Sequence, residues 1–130
     1  MYRYLTVFDV LAMNEIIMAR MGGQSLLRDE GALESAVMRP QMVAHYEDAD
    51  LETQTAVLII GIAIAHAFVD GNKRTALAAG TTFVQLNGQW IASQPGELGQ
   101  QIEAFLIRAD SLDQATSRFI TWLRSHMQPL

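Results

Sequence analysis

LETQTAVLIIGIAIAHAFVDGNKRTALAAGTTFVQL, residues 51–86, decides how this chain folds. From Leu51 to Phe68 the apolar side chains Val57, Leu58, Ile59, Ile60, Ile62 and Ile64 surround the helix axis instead of lining one side of it, the pattern of a helix buried on every face. A β-strand competes for Val57 to Ile64 because of the β-branched residues, but the length of the segment and its flanking alanines favour helix. Gly71 interrupts, Asn72 to Leu86 resumes as a second helix, and Asn87-Gly88 ends it.

Outward from this pair, the remaining segments are amphipathic. Thr6 to about Met21 carries a helical stripe at Val7, Val10, Leu11, Ile17, Met18 and Met21, broken only at Asn14, with Thr6 and Asp9 placed to cap its start. Gly22-Gly23 ends it. Asp29 caps a short second helix through Leu33, Val37 and Met38, which Arg39-Pro40 should stop, leaving Gln41 to Asp50 as a loop. Beyond Asn87-Gly88, Gln89 to Pro95 reads as irregular or briefly extended, and Pro95-Gly96 opens a fifth helix with Leu98, Ile102, Phe105 and Leu106 on one face. Ser111 and Gln114 form a capping box for a sixth, whose face is Leu112, Ala115, Phe119, Trp122 and Leu123. With no repeat, linker or low-complexity segment, the expectation is an all-α, compact bundle of about six helices around a buried central one, residues 1–130 forming a single domain.

The chain has 130 residues, half of them hydrophobic, enough for a core without disulfides. It has no cysteine, which excludes thiolate catalysis and zinc–thiolate sites and suits a reducing cytoplasm. No secretory signal follows Met1, and the longest apolar run, Ala56 to Ala65, is too short to span a bilayer, so a soluble cytoplasmic protein without membrane association is expected. A formal charge of −5 argues against broad attachment to nucleic acid. The few bases must act locally, and Lys73, Arg74 and Arg39 are the ones placed to do so.

The polar chemistry is concentrated where the two central helices meet, in HAFVDGNKR at 66–74. Gly71 can take a positive φ, turning the chain sharply and exposing the first amides of the next helix, which together with the helix dipole attract an anion. Asn72 adds amide donors, Lys73 a full charge and Arg74 a forked phosphate contact. Both cations sit at the unfavourable end of the helix dipole, where each costs roughly 0.3–1 kcal/mol, a local conflict that a bound anion would reverse. The plain alternative is that both extend into solvent. Asp70 would repel phosphate unless a divalent cation lay between them, which is how Mg²⁺ is commonly held; the competing reading is a helix N-cap. His66, four residues earlier, is the residue type suited to act as general base toward an attacking hydroxyl, although a lone histidine on such a surface is more often structural. Phe68 reads as the buried anchor of the turn. No GxxxxGK[ST] loop and no kinase-type glycine loop, HRD or DFG set accompanies these residues.

This stretch resembles the HxFx[DE]GN[GK]R signature of the Fic/Doc family. The likeness continues into Thr75-Ala76-Leu77 and the following helix, and LRDEGALESA at 27–36 with Arg39-Pro40 is similar to the upstream segment of Doc-like toxins. The resemblance implies a Fic/Doc-like helical fold, His66 as general base toward a target hydroxyl, Asp70 as Mg²⁺ ligand, and Gly71, Asn72, Lys73 and Arg74 as the turn that holds the phosphates of ATP. Typical Fic members transfer AMP and have glycine where this chain has Lys73, and a second arginine where it has Leu77. Both departures resemble the Doc, or death-on-curing, branch of toxin–antitoxin toxins, in which the nucleotide is reversed and the γ-phosphoryl faces the acceptor. The implied reaction is phosphorylation of a protein hydroxyl, with a threonine of elongation factor Tu as the family's known target and arrested translation as the result. No [ST]xxxE[GN] inhibitory helix is present; Ser93 to Glu97 comes close, but Leu98 departs from it. The resemblance therefore implies neutralisation by a Phd-like antitoxin. AMP or other nucleotidyl transfer, and a catalytically silent anion-binding module, remain the alternatives. Further contacts to the nucleotide would come from outside the motif, with Arg39, Tyr46 and Asn87 as candidates.

Overall fold

Ten of the fifteen residues of the third helix, α3 (Leu51–Ala65), are buried, and Ala56 and Ile59 are completely inaccessible. In the computed structural model, which describes residues 1–107 and 110–130, this helix is packed between α2 (Glu30–Glu47) and α4 (Asn72–Leu86), with α1 (Val7–Arg20), α5 (Glu97–Leu106) and α6 (Leu112–His126) completing the all-α bundle. The all-round apolar pattern of residues 51–65 has the physical consequence expected of it. Since no face of α3 is polar across residues 57–62, that stretch is covered almost all round.

Close approach makes the α3–α4 contact possible. A Cβ at Gly80 would lie 2.3 Å from Ile59 Cδ1, so only glycine lets the two backbones come this near. Around it, Ala76, Ala79, Phe83 and Val84 of α4 are fully buried. At its start, α3 is capped by Asp50, whose carboxylate accepts from the Thr53 N–H at 2.9 Å and also pairs with Arg124 of α6 at 2.9 Å. The buried Gln54 is satisfied by the Tyr4 hydroxyl, which donates to it at 2.9 Å, and by the Ala49 carbonyl, which it donates to at 3.0 Å.

The elements follow the sequence reading with two corrections and one addition. Proline does not stop the second helix: α2 continues through Pro40 to Glu47, so residues 41–47 are helical and Arg39 is not in a loop. Leu33, Ala36, Val37 and Pro40 form one buried face, and their packing outweighs the missing amide bond of Pro40. The central helix ends at Ala65, not Phe68, because His66 turns left-handed (φ 49°, ψ 40°). Finally, the extended piece after α4 is a real strand, β1 (Gln89–Ile91), paired antiparallel with β2 (Met127–Pro129), which directly follows α6. The capping boxes at Thr6/Asp9 and Ser111/Gln114 both form. Among the described residues, no helix is long and apolar enough to cross a membrane.

Candidate active site

The turn between α3 and α4 is held from two sides. A segment preceding α2 runs antiparallel beside it, with the Arg28 and Asp29 amides donating to the Ala67 carbonyl at 2.7 and 3.0 Å, and the Val69 amide donating to Leu26 at 2.9 Å. Between these bonds Leu27 and Phe68 form an isolated bridge, and Phe68 is wholly buried as the anchor. Arg28 also donates through Nη2 to the His66 carbonyl at 2.9 Å, satisfying a group that the end of α3 leaves free. From the other side, the Asn72 side chain accepts from the Phe68 amide at 3.0 Å and donates to its carbonyl at 2.9 Å.

This scaffold gathers His66, Asp70, Gly71, Asn72, Lys73 and Arg74 along one open cleft of about 330 Å³, whose apolar walls are Met21, Ala63, Val69 and Leu106. His66 is exposed, and no described residue hydrogen-bonds its imidazole. Gly71 occupies the N-cap position of α4 at φ 80° with no side-chain cap, so the first amides of the helix remain open to an anion. Asp70 therefore is not the cap. Its Oδ1 accepts from the Gly71 amide at 2.7 Å, and among the described residues Oδ2 has no partner. Arg74 is exposed and has no ion pair among the described residues, whereas Lys73 is paired with Glu103 of α5.

Residues 4–84 match the Fic/DOC family, a span that includes the entire clamped turn. The chain belongs to that family. Among curated proteins it is similar to the toxin Doc of Mycolicibacterium smegmatis, with 43% identity over 95 residues, covering 72% of this chain and 71% of that protein. It is also similar to the protein kinase doc of Escherichia phage P1, with 32% identity over 94 residues, covering 72% of this chain and 75% of the phage protein.

Within this Fic/DOC protein the six motif residues share the cleft, but they are not equally free to act. The Asn72 amide is committed to the Phe68 backbone, so its donors brace the turn, leaving its main-chain N–H for an anion. Arg39, Tyr46 and Asn87 do not line the cleft. Arg39 borders a separate groove with Ile60 and Ile64, and Asn87 is engaged with the Arg3 backbone at 2.8 and 3.0 Å. Leu77 is packed on the core; its Cδ1 lies 3.8 Å from where a Cβ of Gly99 would be.

Four residues around the site escaped the sequence reading. Asn14 had a visible signal, as the one break in an apolar stripe, and Arg28 stood in the upstream segment noted above. Ser25, which donates to Asn14 at 2.6 Å, and Glu103 had none, because each meets its partner only through tertiary packing. The family match ends at residue 84, yet α5 contributes both Leu106 and Glu103 to the cleft's surroundings.

Proposed function

We propose that this Fic/DOC protein is the toxin of a toxin–antitoxin pair and that it transfers the γ-phosphoryl group of ATP to a protein hydroxyl. The observation that carries the reading is the convergence, in one cleft, of an exposed histidine, an available carboxylate and an uncapped helix N-terminus bearing Lys73 and Arg74. The names of its relatives, a toxin Doc and a protein kinase doc, support the same direction.

In this reading the α4 amides, Lys73 and Arg74 bind the triphosphate and orient its terminal group. His66 takes the proton of the acceptor hydroxyl as that oxygen bonds to the γ-phosphorus. The bond from the γ-phosphorus to the bridging oxygen breaks, and ADP leaves with its electron pair. Little covalent chemistry is asked of the protein, since phosphoryl transfer depends mainly on positioning and charge neutralisation. Asp70 fits a Mg²⁺ ligand, because its exposed carboxylate borders the anion site and keeps Oδ2 available. A Mg²⁺ held there would neutralise phosphate charge. Lys73 in place of glycine and apolar Leu77 in place of a second arginine favour γ-phosphoryl over AMP transfer. The acceptor we propose is a threonine of elongation factor Tu, and the neutralising partner a Phd-like antitoxin whose disordered tail folds on the toxin. Action in the cytoplasm follows from that target.

A translation extract supplied with ATP labelled separately at the α and γ positions tests this. Protein-bound γ-label that disappears with His66→Ala is the expected result. Incorporation of α-label alone would replace the kinase reading with nucleotidyl transfer, and growth arrest equally strong with His66→Ala would point to a silent binding module.

A further inference from the structure

Val10, Asn14 and Met18 lie one turn apart on α1 and are all buried, Val10 and Asn14 completely. An apolar residue belongs in the middle of such a ridge, and an amide there is costly unless every hydrogen-bonding group is used. All of Asn14's side-chain bonds are used, and all leave α1. Nδ2 donates to the Asp70 carbonyl and to the Thr75 hydroxyl, both at 3.1 Å, while Oδ1 accepts from the Ser25 hydroxyl at 2.6 Å. Thr75 is itself fully buried, and its amide donates to the Gly71 carbonyl at 2.9 Å. A Cβ at Gly71 would come within 3.0 Å of Asn14 Nδ2, so the turn is pressed against this amide.

We propose that Asn14 is a positioning residue that fixes the offset between Asp70, just before the turn, and the anion-binding start of α4, just after it. The proposal rests on the functional reading above. One donor group grips both ends of the turn, Asp70 on one side and Thr75 on the other. Direct anion binding needs only the helix N-terminus and its cations. A metal held by Asp70 and by the same phosphates needs the correct offset as well. Loss of the brace therefore acts on metal-dependent binding and on turnover, where a displacement of about 1 Å can cost about 100-fold.

The test compares the full chain with Asn14→Ala, Asn14→Asp, Thr75→Val and Val10→Ala. Asn14→Asp keeps the shape of the side chain while losing the amide donors. Val10→Ala weakens the same ridge without touching the turn, so it reports what lost stability alone does. For each, the thermal midpoint, the transfer rate with both labels, and ADP affinity with and without Mg²⁺ are measured well below the midpoints. The Asn14 variants should lose at least tenfold in kcat and most of the gain in ADP affinity that Mg²⁺ confers, while metal-free ADP affinity stays within threefold. Val10→Ala should lower the midpoint alone. Asn14 variants that behave like Val10→Ala overturn the proposal. Should neither Asn14 variant fold, Thr75→Val decides: a tenfold lower kcat supports the brace and an unchanged kcat overturns it. Transfer of α-label by the wild type would reject the kinase reading while leaving these ratios to judge the brace. If the wild type transfers neither label, the Mg²⁺-dependent gain in ADP affinity judges it.

Discussion

Gly71 stands at φ 80° with Asn14 on one side and Met18 on the other, both 3.0 Å from where a Cβ would be. Alanine there faces a backbone penalty of about 1–2 kcal/mol before any contact is considered. Gly71→Ala should therefore lower unfolding stability in urea by roughly 1–3 kcal/mol and weaken ADP binding. Unchanged stability would mean that the turn is not held as described. His66 is left-handed too, at φ 49°, a conformation asparagine tolerates better than other non-glycine residues. His66→Asn should leave the thermal midpoint close to wild type while abolishing transfer; retained transfer would remove His66 as the base. At this scale the sequence was most informative where chemistry is local. The types and spacing of residues 66–74 single out the turn whose residues line one cleft before any fold is known. Asn14 could be seen only as an exception in its stripe, because its partners at the turn, Asp70 and Thr75, stand 56 and 61 residues away.

Helix α5 meets the site through Glu103, whose carboxylate pairs with Lys73. Both side chains are partly exposed, 38% for Lys73 and 56% for Glu103, so the pair contributes little to stability, about 0–1 kcal/mol. In the proposed function its effect on a ligand is different, since a bound phosphate would share Lys73 with a nearby negative charge. Glu103→Gln should raise ADP affinity by about threefold to tenfold, in a calorimetric titration, with almost no change in thermal midpoint. Weaker binding would instead make Glu103 a support for Lys73. The helices differ in how far local signals define them. Asn72–Leu86 is read correctly because Gly71 begins it and Asn87-Gly88 ends it. The second helix is not, since the penalty of Pro40 is visible locally and the burial that overrides it is not. Strand β2 has no signature of its own; it exists because β1 lies beside it.

Across the whole molecule, α3 is joined to α6 at the surface by Asp50 and Arg124. Burial pushes the Asp50 carboxyl upward, but hydrogen bonds from Thr53 and Arg124, with the latter's charge, outweigh it and hold the group below its ordinary value. A carboxyl of depressed folded pKa stabilises fully above its unfolded pKa of about 3.9 and loses that contribution as pH falls through the lower folded value. The effect is small because both partners are about half exposed. Asp50→Asn, which keeps a capping oxygen, should be less stable than wild type at pH 7, and the gap should narrow as acid denaturation proceeds below about pH 4. A gap independent of pH would show that the ion pair and cap do not act through the charge. The site also stands on ground of two depths. Ten buried residues secure α3, whose C-cap is His66, whereas three, Leu98, Ile102 and Phe105, secure α5. Amide protons of α3 should exchange with solvent only when the entire chain opens, and those of α5 in a smaller, earlier opening. Warming would then release Lys73 from Glu103 while His66 and Asp70 still stood in place.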